Sequence, residues 1–238
     1  MRDRPVLWAL LVTAAFMAAR FGVRVALPPA TDLHTWLLID AWKTIPRLGA
    51  LAACWWAMRP AGPRAWGWTA PSGAGAALAF AACFALGLKF LDNGPGDFGA
   101  GEKAVGVLLT IPVALWEELC YRGLLFQGLR REMSALRAAL ISTAVFTVMH
   151  WGSIGVAGWP EIYLTGFVWC GAAALGAGLP ALAVSHWLVD SVWFWLAEDG
   201  HGGTFTRLSL ALLAAAAVPA WRALRATPGA PPSPTRPE

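Results

Sequence analysis

From about Ala104 to Gly128 runs an apolar stretch long enough to cross a bilayer. Inside it two adjacent acids and a base sit in Trp116-Glu117-Glu118-Leu119-Cys120-Tyr121-Arg122. A charged side chain at membrane depth costs at least about 2.5–3.5 kcal/mol on insertion scales, so a chain seldom keeps one without a use. Two further apolar stretches carry His150, and then His186 with Asp190. Six ionisable groups spread over three hydrophobic segments make a buried polar site the expected feature of the fold.

Hydrophobic residues make up 58% of the 238 and charged residues only 13%, against about 45–50% and about 25% in a soluble domain. The expected class is therefore an all-α polytopic membrane bundle. About 20 apolar residues make a span, which predicts eight transmembrane helices near 5–26, 34–58, 72–91, 104–126, 136–154, 161–177, 179–197 and 204–224. The first two are weakened by Arg20, Arg24, Asp40, Lys43 and Arg47, and the sixth and seventh break at Gly176-Ala177-Gly178-Leu179-Pro180. The opening Met1-Arg2-Asp3-Arg4 with Pro5 to Ala19 is read as a first helix in preference to a cleaved signal peptide.

Arg2, Arg4, Arg59, Arg64, Arg130, Arg131, Arg137, Arg222, Arg225 and Arg236 all fall at one side of this layout. The opposite loops, Asp92 to Lys103 and Glu198 to Gly203, are acidic and Gly-rich. The positive-inside rule then puts both termini in the cytoplasm, in keeping with an even number of spans. Fifteen Trp, including Trp36, Trp55, Trp56, Trp66, Trp68 and Trp221 near predicted span ends, suit an interfacial aromatic belt. The net charge of +4 fits contact with lipid and calls for no nucleic acid. Alanine- and arginine-rich composition points to a bacterial cytoplasmic membrane. The expected organisation is N-terminal membrane helices over 1–103, a core of membrane helices over 104–225 that holds the polar groups, and a disordered Pro-rich tail over 226–238. Cys54, Cys83, Cys120 and Cys170 lie in apolar stretches without a CxxC pair and read as small core residues.

Glu118 and Arg122 are four residues apart and share one helix stripe, where pairing is the economical way to keep an arginine in low dielectric. Glu117 lies about 100° round the helix, without a local cation. Spacing thus gives Glu118 a structural task and leaves Glu117 for general-base chemistry. Phe146 with His150, and His186 with Asp190, repeat the four-residue spacing on later helices. Counting about 1.5 Å per residue puts Glu117, His150, His186 and Asp190 at overlapping depths, in the middle to cytoplasmic half. Trp116, Trp151 and Trp187 each adjoin a polar site residue and are expected to shield the site from lipid. Cys120 as a thiol nucleophile is disfavoured by its place about 200° from Glu118, and His34 and His201 receive no role.

Glu117-Glu118-x-x-x-Arg122, Phe146-x-x-x-His150 and His186-x-x-x-Asp190, in this order, resemble the three motifs of the CPBP family. These are the CAAX prenyl protease 2-like, Abi and lysostaphin resistance A-like intramembrane glutamic endopeptidases. The resemblance covers about residues 104–197. It implies peptide-bond hydrolysis in a membrane-anchored or hydrophobic peptide substrate, with Glu117 activating water, His150 assisting, and His186 with Asp190 binding the oxyanion. Arg122 and Glu118 would brace the helix. Asp190 departs from one common form of the pattern, which has Asn. Asn can donate to an oxyanion and ionised Asp cannot, so Asp190 would act protonated or through His186. No cofactor is expected. Zinc held by Glu117, His150, His186 and Asp190 is the rival mechanism, disfavoured because no HExxH motif is present. Two other functions remain open from the residues: a proton-coupled transporter, since midplane acids and histidines also serve as relays, and a non-enzymatic bacteriocin-immunity or scaffold protein.

Overall fold

A computed structural model describes residues 4–27, 33–92, 99–151, 156–196 and 204–228. His201, Glu198 to Gly203 and residues 229–238 of the Pro-rich tail lie outside the described residues, as do the side chains of His34 and Trp36. The described residues form helices and no strand. Eight long helices follow one another: α1 (Pro5–Ala26), α2 (Leu33–Met58), α3 (Gly73–Leu88), α4 (Ala100–Leu129), α5 (Ala135–Met149), α6 (Trp159–Ala174), α7 (Gly178–Leu196) and α8 (Thr204–Ala226). They follow the eight apolar segments closely. Four, namely α1, Gly73–Asp92 (α3 with its following turn), α4 and α8, are long and apolar enough to cross a membrane. The chain is an integral membrane protein by these helices.

Small residues and polar pins set how the helices cross. In lipid there is no hydrophobic force between helices, so close approach and interhelical hydrogen bonds hold a bundle. Gly171 of α6 lies directly on Ala220 of α8, and a β-carbon at Gly171 would meet the Ala220 Cα at 2.6 Å. Gly176 and Gly178, with φ of 84° and 73°, turn the chain between α6 and α7. That turn is fastened by Ser72 N–H donating to Gly176 O (2.7 Å) and Leu179 N–H donating to Gly67 O (2.8 Å). Lys89, just past α3, pairs with Glu161 of α6 at 3.1 Å, both buried. Asp92 accepts from Phe205 N–H and Thr206 N–H and so caps α8.

Two departures from regular helix bear on α4. Pro112 cannot donate to the carbonyl four residues back, and one residue earlier Val107 O accepts from Trp187 Nε1 of α7 at 3.0 Å. After Glu117 the helix widens to a π-helix over Glu118–Phe126. Such segments are rare and concentrate at functional sites. The Tyr121 carbonyl within it accepts from Ser142 Oγ of α5 (2.8 Å), and the Tyr121 hydroxyl meets Thr13 of α1 at 3.1 Å.

Replacing Gly171 by Val should push α6 from α8 and destabilise the bundle by about 1–3 kcal/mol. A fall in thermal unfolding temperature in detergent checks this; an unchanged temperature would contradict the crossing.

Candidate active site

Glu117 and Glu118 straddle the junction where α4 passes into its π-helical segment, and both are buried. Glu118 is fully buried and its Oε1 accepts from Arg122 Nη1 at 3.0 Å. The expected pairing is therefore present, and the same oxygen has a second partner, His186 Nδ1 of α7, at 2.8 Å. An ionised carboxylate only accepts, so Nδ1 carries the hydrogen and Nε2 is turned the other way. His186 Nε2 then faces Glu117 Oε2 at 3.7 Å and Asp190 Oδ2 at 3.6 Å. Both distances exceed a hydrogen bond.

Glu117 Oε2 makes no hydrogen bond among the described residues. The two acids thus differ in surroundings as their spacing implies: one is doubly anchored and the other faces an imidazole across a short gap. Asp190 stands farther out, with 30% of its side chain exposed.

His150 closes the C-terminal end of α5, which stops at Met149, short of the expected 154. Its Nδ1 lies 2.8 Å from Phe146 O. A carbonyl only accepts, so here too Nδ1 donates. The Phe146 ring stands edge-on to both imidazoles, with centroids 4.7 Å from His150 and 6.2 Å from His186. Phe146 also lies under Arg122, whose guanidinium carbon is 4.2 Å from the ring centre. Phe146 shares a face with His150, as its spacing suggested, and it also touches His186 and makes a cation–π contact with Arg122. Counted from the helix ends nearer the chain termini, the four polar residues lie about 12–22 Å in.

The expected aromatic shield is different. Trp116 is fully buried and stacks on Phe16 of α1, Trp151 is 67% exposed, and Trp187 is spent on the Val107 carbonyl. The indole that covers the site is Trp169 of α6, 4.7 Å from the His186 ring and 5.0 Å from Arg122. It adjoins no motif in sequence, so nothing local marked it. Cys120 turns away toward α1, its thiol donating to Ala9 O at 3.6 Å. Among the described residues no three His, Cys, Asp or Glu side chains converge as metal ligands do.

The first two helices also contribute, which motif spacing did not foresee. Arg20 Nη1 of α1 donates to Met149 O (3.4 Å), next to His150. Arg47 of α2 clasps Asp40 with two 2.8 Å bonds.

Arg122→Ala should strand Glu118 in low dielectric and cost about 3–5 kcal/mol. Folded yield and unfolding temperature in detergent check this; the double variant Glu118→Gln with Arg122→Met should recover much of the loss. Full stability of the single variant would contradict the pairing.

No curated protein and no solved structure matches the chain. Residues 100–192, the stretch that holds Glu117, Glu118, Arg122, Phe146, His150, His186 and Asp190, match the family described as type II CAAX prenyl endopeptidase Rce1-like, and it is to this branch of the CPBP family of membrane proteases that the core of the chain is similar.

Proposed function

We propose that the protein is an intramembrane endopeptidase that cuts a membrane-anchored or hydrophobic peptide close to its C-terminus, by water that Glu117 activates. The observation that carries this reading is the His186 imidazole, fixed by Glu118 so that its free nitrogen confronts Glu117 and Asp190.

Glu117 takes a proton from water with the help of His150, and the hydroxide attacks the peptide carbonyl. The oxyanion that forms accepts from His186 Nε2–H, made a donor by a proton on that nitrogen. Asp190, too far for a hydrogen bond to His186, supports the imidazolium by its charge. Glu117 then passes its proton to the leaving amine, and the carbon–nitrogen bond breaks. No metal enters this scheme, and the substrate reaches the site from the bilayer. All eight helices cross a bacterial cytoplasmic membrane with both termini in the cytoplasm, and the core over 104–225 carries the chemistry. The α1 and α2 helices close its flank.

An S-farnesylated peptide ending in Cys-Val-Ile-Ala, presented to the purified protein in liposomes, tests the reading. The wild type should release the terminal tripeptide, and Glu117→Gln should lower kcat by about 10²–10⁴-fold with unfolding temperature kept. Undiminished cleavage by that variant would sink the assignment. EDTA and phenanthroline should leave the rate unchanged; restoration of a chelated, inactive enzyme by zinc would favour the metal mechanism instead.

A further inference from the structure

The charged residues that interrupt the first two helices have no part in the mechanism above, yet they carry the same cost of burial. Asp40 of α2 is buried and held by both nitrogens of Arg47, which neutralises that pair. Lys43 Nζ stands 3.9 Å from Asp40, beyond hydrogen-bonding distance, with its side chain 21% exposed. Among the described residues Arg20 makes one directional contact, the 3.4 Å bond to Met149 O. It lies within electrostatic reach of Glu117, Arg47 and Asp40, and Arg47 lies within reach of Asp190. Arg24, one turn beyond Arg20, adds a further cation.

The polar interior therefore has two walls. On α4 and α7 stand Glu117, Glu118 and Asp190 with His186; on α1 and α2 stand Arg20, Lys43 and Arg47, with Asp40 the anion among the described residues there. Glu117 and Asp190 are the acids of the first wall within electrostatic reach of the second. A peptide laid between them with its scissile carbonyl at Glu117 and few residues beyond would bring its end to the cations. Three extended residues span about 10 Å.

We propose that Arg20 and Lys43, steadied by the Arg47–Asp40 clasp, form a carboxylate subsite that binds the free C-terminal carboxylate of the substrate. This rests on the endopeptidase reading and adds to it a reason why the cut falls near a chain end. Two cations that, among the described residues, keep donors beyond the bond to Met149 O and the 3.9 Å approach to Asp40 offer charge-assisted hydrogen bonds to such a group, and an amide end forfeits them.

The test compares the farnesylated Cys-Val-Ile-Ala peptide as free acid and as carboxamide. Wild type should show a KM about 10–100-fold higher for the amide, the range expected for losing hydrogen bonds to charged groups. In Arg20→Gln and in Lys43→Gln the amide-to-acid ratio should collapse toward one. Dissociation constants of the two peptides for Glu117→Gln protein in nanodiscs, read by tryptophan fluorescence, should show the same preference without any cleavage. Equal KM or equal binding of acid and amide to proteins carrying both cations would overturn the subsite, as would a preference that survives in both variants. Binding set by phosphatidylglycerol content and not by the peptide end would assign the cations to lipid and overturn it too. Loss of cleavage dependence on Glu117 with acid preference intact would instead strike the catalytic reading alone.

Discussion

One oxygen atom organises the site. Glu118 Oε1 receives Arg122 from its own helix and His186 from α7. Both bonds are buried, where an unpaired charge is prohibitive, so neither partner can leave without stranding the other. The consequence reaches past stability. Because Glu118 holds Nδ1 of His186, it also aims Nε2 at Glu117 and Asp190. Glu118 thereby sets which edge of the imidazole its neighbour Glu117 meets. Trp169 and Phe146 fill the space round Arg122 and the two rings, so the guanidinium lies between two aromatic faces.

The π-helical segment adds a second tie. Over Glu118–Phe126 the hydrogen-bond ladder of α4 widens from four residues to five. Ser142 adds a bond to the Tyr121 carbonyl and so ties α5, which His150 closes, to α4. Position and chemistry are thus joined: the irregular backbone that sets the two acids also docks the helix that bears the first histidine.

Much of the site was legible because it is written in four-residue steps. Glu118 with Arg122, Phe146 with His150 and His186 with Asp190 each lie on one helix face, and the division of labour between Glu117 and Glu118 follows from which has a cation four residues on. The eight apolar segments likewise gave the helices nearly to their ends. Contacts made between helices left no such trace. Neither the Glu118–His186 bond nor the cover by Trp169 has a spacing to betray it, and the lipid-exposed Trp151 and the inward Trp116 look alike in sequence. Arg20 and Arg47 registered as blemishes in two spans, although interrupted hydrophobicity was itself the signal that they are used. The π-helix was invisible because α and π turns bring residues four apart to nearly the same face.

Tautomer assignment of the imidazoles offers the most direct test of the account. The chain has four histidines, so nitrogen-15 NMR of histidine-labelled protein in detergent, with single substitutions for assignment, can read each ring. Both His150 and His186 should carry hydrogen on Nδ1, with the His186 signal displaced on replacing Glu118 by Gln. A His186 ring whose Nδ1 is bare, or whose signal ignores Glu118, would contradict the strut on which the proposed chemistry stands.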